Sequence, residues 1–339
     1  MARTSVTRRK NQTGFAVSVV VPCFNEEEGI AEFHRRLAAA LCALPGSGEI
    51  IYVNDGSADQ TLQALNRLPD EGLCLRVVNL SRNFGHQMAA SAGLALARGQ
   101  RVLIIDADLQ DPPELLPDMM RLMDEGADVV YGQRVSRRGE SRFKLASAAL
   151  FYRMLRRLSG VDIPRDAGDF RLITRQIADI LNAMPEQHRF LRGMVAMVGF
   201  RQVALPYERD ARHAGVTHYP LGRMLGLAID GITGFATAPL RAFFQLSAIV
   251  GLMAVALAGW TLYSYFAFST TPGWPSLMST VLFFSAIQIF GIALIGEYVG
   301  RTFIQTKSRP LYLVQSIQEN GKPIKPNRSG RKGSHASGR

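Results

Sequence analysis

The run from Val102 to Glu114 reads VLIIDADLQDPPE, an apolar stretch that stops abruptly at Asp106, Asp108, Gln110 and Asp111. Two carboxylates one residue apart at the carboxyl edge of a strand can both face a crevice. There a hard divalent cation accepts them and keeps its remaining positions for phosphate oxygens, which is how a nucleotide diphosphate is held. Taken alone, the same residues also fit an acidic loop that caps a helix opened by Pro112 and Pro113. The surrounding sequence favours the cation site.

Between Val17 and Gln133 the short β-rich runs VSVVVP, EIIYVND, LRVVNLS, RVLIIDAD and ADVVYGQ alternate with helical stretches at Glu26 to Leu44, Ala58 to Leu68, His86 to Arg98 and Pro112 to Glu125. Near-continuous apolar strands separated by helices predict an α/β, doubly wound, mostly parallel sheet covered on both faces. Such sheets bind ligands at the strands' carboxyl ends, where PCFNEEEG, NDGSAD and DADLQD all fall. Three loops then converge on one crevice. Beyond it, Arg134, Arg137, Arg138, Arg142, Arg189, Arg192, Arg209 and Arg212 have few opposing acids. Each could be a solvated surface residue, but a guanidinium beside a phosphate site can grip two oxygens at once.

Leu246 to Phe268 contains no charged side chain, enough helix to span roughly 34 Å. A second uncharged run goes from Leu277 to Gly296, with Glu297 and Arg301 at its end. The pair predicts a transmembrane hairpin. Arg241 before it and Arg301, Lys307 and Arg309 after it put both termini and the large domain in the cytosol, at an inner membrane. Residues 219–244 mix Arg223, Asp230 and Arg241 with apolar side chains and read as interfacial helices. The expected organisation is a basic, disordered segment at 1–15, the α/β domain at 16–218, interfacial helices at 219–244, two spans at 245–301, a strand segment at 302–318 and a basic, disordered tail at 319–339. The strand LYLVQSI after Pro310 can pair with a neighbouring copy in a homo-oligomer, a tetramer being compatible, or fold back on its own domain. The net charge of +11 sits largely at the ends, and the tail lacks the aromatic residues that single-strand nucleic-acid binding would want, so no nucleic-acid partner is expected. Three cysteines, Cys23, Cys42 and Cys74, without metal-ligand spacing indicate neither a zinc site nor a disulfide framework.

Asp106-Ala107-Asp108 after PCFNEEEG and NDGSAD and before two apolar spans, together with SRNFGHQMAASAGL, GQR at Gly132, DAGDFRL, HRFLRG and RDARHAGVTHYPL, resembles the family 2 glycosyltransferases of the GT-A fold. More narrowly, it resembles the polyprenyl-phosphate glycosyltransferases, which include dolichyl-phosphate mannose synthases and bacterial undecaprenyl-phosphate glucosyltransferases. The resemblance covers roughly Val17 to Val314. It implies that Pro22, Asn25 and Glu26 line a nucleotide pocket with Asp106 and Ala107, that Asp55 bonds the base, and that Gly56 and Ser57 shape the turn. It further implies that Asp106, Asp108 and Gln110 hold Mg2+ or Mn2+, that Arg134 meets the diphosphate, and that Asp169 stands on the acceptor side, with Asp166 as its alternative. Arg209 and Arg212 would meet the lipid phosphate or the donor diphosphate. Thr217 and His218 stand where the family usually has Ser-Lys, so a permanent positive charge is missing there.

The expected reaction is inverting transfer of one sugar from a nucleotide-diphosphate donor, UDP-glucose first, to a membrane polyprenyl phosphate such as undecaprenyl phosphate. GDP-mannose and UDP-amino sugars are the alternative donors. A processive polysaccharide synthase of the same fold should carry Gln-Xaa-Xaa-Arg-Trp, which Gln187-His188-Arg189-Phe190 does not match. A non-enzymatic membrane scaffold would not need three motifs at strand ends.

Overall fold

The computed structural model describes residues 14–135, 167–187, 189–208 and 273–324, with individual positions between 249 and 263. Nine strands form one sheet in the order β7-β5-β6-β4-β1-β2-β3-β8-β9. Its centre is β1 (Phe15–Cys23), flanked by β2 (Ser47–Asn54) and β4 (Arg101–Ile104), with β3 (Cys74–Leu80) outside β2. These four are mutually parallel. β5 (Val129–Arg134) and β7 (Gln202–Tyr207) pair parallel to each other, while β6 (Ala167–Thr174) inserts antiparallel between β4 and β5. The expected mostly parallel α/β sheet is present.

Side chains alternate across the pleat, so each strand feeds two cores. Val19, Val21, Ile50 and Tyr52 point to one face, where they meet Phe33, Leu37 and Leu41 of α1 (Ile30–Cys42), Leu65 of α2 (Thr61–Asn66) and Met119 of α4 (Leu116–Asp124). Val20, Ile51 and Val53 point to the other, against Ala89, Ala90 and Leu94 of α3 (His86–Leu96), Ile177 and Leu181 of α5 (Arg175–Ala183) and Met194 of α6 (Leu191–Val198). The small residues of AASAGL let α3 approach the central strands closely. A Cβ on Gly93 would lie 3.2 Å from Val53 Cγ2 and nearer still to Val20, so the helix could not seat at its present depth with a larger residue.

After the sheet's central strands the chain forms α7 (Trp274–Thr306), whose segment Phe283–Thr306 is long and apolar enough to cross a membrane and is hardly covered by protein. It is the one such helix among the described residues. The helix runs on past the uncharged stretch, and Glu297 and Arg301, four residues apart on its surface, pair at 2.8 Å. The other expected span lies mostly outside the described residues, as do the interfacial helices at 219–244. At Ile249, Leu252, Trp260 and Tyr263 the chain is helical and the side chains are exposed.

The C-terminal strand folds back on its own domain. β8 (Val314–Glu319) pairs antiparallel with β3, and β9 (Lys322–Ile324) pairs with β8, so the tail expected to be disordered from 319 instead continues as sheet through Ile324. The reason is electrostatic as well as hydrogen-bonded. Glu319 Oε2 lies 2.9 Å from Arg98 and 3.5 Å from Arg76, and both arginines also face the fully buried Glu49, which accepts from Ser18 Oγ at 2.6 Å. Removing one member of such a buried set strands the other charges. Glu49→Ala should therefore lower unfolding stability by about 3–5 kcal/mol, measured by circular dichroism during denaturant unfolding in detergent; a change under about 1 kcal/mol would show that the network carries no stability.

Candidate active site

Three loops at the carboxyl edge of the sheet are stitched together by side chains from the motifs themselves. Asn25, at positive φ just past β1, accepts from Ala58 N at 2.9 Å, and its own N–H donates to Ser57 Oγ. Glu26 N donates to Thr61 Oγ1, Glu27 N to Asp59 and Gln60 N to Glu27, so the first two loops exchange five hydrogen bonds beyond the sheet ladder. Asn54 donates to Asn79, which donates to Gln315 of β8, forming a row of amides across three strand ends. Buried Pro22 ends the apolar part of β1 beside Val53.

Asp55 is almost wholly buried. Its two carboxylate oxygens accept from the N–H groups of Phe84 and Gly85 at 2.7 and 2.8 Å. The geometry thus gives Asp55 a second task beside the expected base contact, holding the SRNFG loop against the NDGS turn. Gly56 makes that apposition possible, with φ +65° and an ideal Cβ only 2.6 Å from Asn83 N. Ser57 donates to Asn54 Oδ1.

Past β4, Ile105 N still bonds Val20 O, and Asp106 follows at the mouth of the cleft. Ala107 and Leu109 turn inward, and Leu109 takes φ +60°, an uncommon conformation that leaves Asp108 and Gln110 half-buried at the surface. Gln110 N donates to Asp108 Oδ1 at 3.2 Å. The β4–β6 register pairs Ile104 with Arg171, and continuing it by two residues brings Asp169 opposite Asp106. Sequence spacing could not supply that pairing, because residues 136–166 intervene between β5 and β6.

His86, the first residue of α3, joins the two carboxylates. Its Nε2 lies 3.4 Å from Asp106 Oδ1 and 3.4 Å from Asp169 Oδ2. Partial burial acts to lower its pKa, but the hydrogen bond to Asp169 and the charges of Asp106 and Asp169 win, raising it to about 9. Withdrawal from water raises the Asp106 carboxyl to about 6, with Asp169, Asp108 and Asp111 adding to the shift and His86 opposing it. Burial also opposes ionisation of Asp169, yet Arg192 at 3.4 Å, His86 and Arg171 at 3.9 Å hold it well below the usual carboxylate range. Arg171 itself is pushed down to about 10, chiefly by burial. Neither His86 nor Gln87, which donates to Asp169 at 3.1 Å, was singled out from the sequence, although both lie in the SRNFGHQ string.

Arg134, at the end of β5, donates to the Tyr207 hydroxyl at 3.3 Å and lies 3.7 Å from Asp111. Tyr207 donates to Asp111, a fully buried carboxylate, and burial beside that charge raises the phenol's pKa. The GQR glycine has a packing reason, since a Cβ on Gly132 would lie 2.6 Å from the Phe170 ring and 2.8 Å from the Tyr207 ring. Arg134 thereby stands beside Gly168 at the start of β6, next to Asp169. Asp166, Arg209 and Arg212 lie outside the described residues.

A divalent ion fits this donor set. Asp106 Oδ1 is buried and, although His86 Nε2 stands 3.4 Å away, it accepts no hydrogen bond, so it can still serve as an oxygen ligand. Among the described residues no three His, Cys, Asp or Glu side chains form a closed cage, so an ion here would depend on ligands from outside the protein. That matches Mg2+, which commonly uses one or two carboxylates plus substrate phosphates.

A parallel sheet with motif loops at its carboxyl edge and paired carboxylates beside arginines places the chain in a known class: residues 18–181 match the glycosyl transferase family 2 model, and residues 238–302 match the GtrB C-terminal hairpin. The chain belongs to glycosyl transferase family 2 and is a glycosyltransferase with the GT-A-like α/β fold. It is 42% identical over 299 residues to an uncharacterized glycosyltransferase, YkcC, of Bacillus subtilis (strain 168), covering 88% of this chain and 93% of the relative. It is 36% identical over 304 residues to the prophage bactoprenol glucosyl transferase homolog of Escherichia coli (strain K12), covering 89% and 99%. With the bactoprenol glucosyl transferase of Shigella phage SfX it shares 35% over 301 residues, covering 88% and 99%.

The His86 assignment gives a pH test on the metal-free protein. Because the folded pKa stands above the ordinary 6.5, protonated His86 favours the fold; the contribution is complete below about pH 6.5 and is lost as pH rises through about 9. NMR titration should place its midpoint near 9, falling toward the ordinary value in Asp169→Asn. A wild-type midpoint at or below 6.5 would refute the bridge.

Proposed function

We propose that this enzyme transfers a single sugar, glucose from UDP-glucose in the first instance, to a polyprenyl phosphate such as undecaprenyl phosphate, with inversion and with a divalent metal. Relatives named bactoprenol glucosyl transferase, matched along nearly their whole length, support the sugar and the acceptor class. The observation that carries the reading is the juxtaposition of Asp106 with Asp169 through His86. His86 Nε2 lies 3.4 Å from a carboxylate oxygen of each, which supports a reading in which Asp106 serves the donor and Asp169 the acceptor.

Asp106, Asp108 and Gln110 would hold Mg2+ or Mn2+, which would neutralise charge building on the leaving diphosphate. Arg134, oriented by Tyr207 and Asp111, adds positive charge from the protein on the same side. A phosphate monoester has its second pKa near 6 and is largely dianionic at pH 7, so the acceptor does not need a strong base. Asp169 instead orients. As an ionised group it gathers Arg192, Arg171 and His86, three donors of positive charge that an incoming phosphate could meet. The apolar segments at residues 246–268 and Phe283–Thr306 would form the two-span hairpin, with the catalytic domain and both termini on the cytosolic face.

Calorimetric titration of UDP with Mn2+ should show metal-dependent binding to the wild-type enzyme and its loss in Asp108→Ala. Full transfer by Asp108→Ala in the presence of a chelator would refute the metal site. Asp169→Asn should lower kcat on the order of 100-fold while leaving donor affinity within about twofold; loss of donor binding instead would move Asp169 to the donor side. Labelled donors incubated with the enzyme and polyprenyl phosphate in vesicles, followed by lipid extraction, identify the sugar.

A further inference from the structure

Gln87 uses both ends of one amide. Its Nε2 donates to Asp169 Oδ2 at 3.1 Å, and its Oε1 accepts from Leu191 N, the first N–H of α6, at 2.9 Å. The next residue, Arg192, lies 3.4 Å from Asp169 Oδ1. Asp169 and the helix that delivers its cation are therefore spaced by a single side chain. A helix's first N–H groups have no partner within the helix, so the cap offsets a cost the segment would otherwise carry.

The segment just before α6 is held from the membrane side by a second pair of amides. Gln305, in the last turn of α7, accepts from Gln187 N at 3.0 Å through Oε1 and donates from Nε2 to Pro185 O at 2.7 Å. Gln187 Nε2 in turn donates to Arg309 O at 3.0 Å, just past the helix. Between the two clasps, Arg189 donates to the carbonyls of Leu181 and Met184 and ties the segment to the end of α5. The segment that leads into α6 is thus pinned by hydrogen bonds at both ends, to α7 through Gln305 and to Asp169 through Gln87.

We propose that Gln87 is a positioning residue for transfer, setting Asp169 and Arg192 in register, and that the Gln305 clasp references this pair to the end of the membrane helix. The inference rests on the reading of Asp169 as the acceptor-side group. Its consequence is specific: the donor pocket, built from the first loops and the Asp106 turn, does not depend on Gln87, whereas alignment of the acceptor phosphate does. Misplacing a reacting group by about 1 Å can cost on the order of 100-fold in rate.

The test uses the full chain in lipid nanodiscs with UDP-sugar and polyprenyl phosphate. Gln87→Met keeps the length and loses both hydrogen bonds; it should lower kcat on the order of 100-fold with the UDP dissociation constant within about twofold. Gln87→Glu keeps an acceptor for Leu191 N but sets a carboxylate against Asp169, so it should be at least as slow. Gln305→Leu should raise KM for the long-chain lipid several-fold and leave KM for a short, soluble prenyl phosphate nearly unchanged. Bound UDP confirms that each variant is folded. Wild-type kcat in Gln87→Met overturns the positioning role, and equal effects of Gln305→Leu on both acceptors overturn the membrane reference. Failure of the wild-type enzyme itself to glycosylate any prenyl phosphate would refute the functional reading instead.

Discussion

Two carboxylates cannot both stay ionised in a cleft partly withdrawn from water unless positive charge stands beside them. The antiparallel placement of β6 beside β4 creates this constraint by bringing Asp169 opposite Asp106, and much of the surrounding structure answers it. His86 bridges the pair, while Arg171 and Arg192 approach Asp169 from the strand and from α6. The outcome is asymmetric. Asp169 stays firmly ionised, whereas Asp106 is the oxygen donor whose charge remains under-compensated. On the proposed reading, a cation bound together with a diphosphate would complete the balance on one side only, and would leave with the product.

The cleft keeps its shape because the loops around it bond to one another more than to their own strands. Asn25, Ser57, Asn54 and Asn79 exchange side-chain hydrogen bonds across strand ends, and Asp55 holds the third loop through Phe84 and Gly85. Gly56 is the point of closest backbone approach, where any side chain would collide. Rigid positioning of donors before substrate arrives is the means by which an enzyme stabilises developing charge without reorganising at the moment of reaction.

The parallel core was legible because β-branched runs and turn motifs recur at the spacing of βα units; the strands and helices from β1 to β5 fall close to the expected stretches. The Asp106–Asp108 turn was legible for the same reason, since oxygen-rich residues directly follow an apolar strand. His86 and Gln87 were not, because a single histidine and a single glutamine at a helix start have no periodicity to mark them; only the β4–β6 register gives them partners. The return of β8 to its own sheet was also undetermined. An amphipathic strand pairs equally well with a neighbouring copy, and the decision rests on Glu319 meeting Arg76 and Arg98, residues more than two hundred positions earlier.

That return has a consequence for how the protein is made. The ribosome releases β8 and β9 only after α7, so the catalytic sheet stays unfinished, with the edge of β3 uncovered and Arg76 and Arg98 short of one acidic partner, until the apolar helix has emerged. Closing the last seam therefore awaits synthesis of the whole of that helix. A chain arrested before Val314 would carry every motif of the cleft yet expose a strand edge prone to mispairing, so vectorial synthesis couples completion of the catalytic sheet to emergence of its long apolar helix.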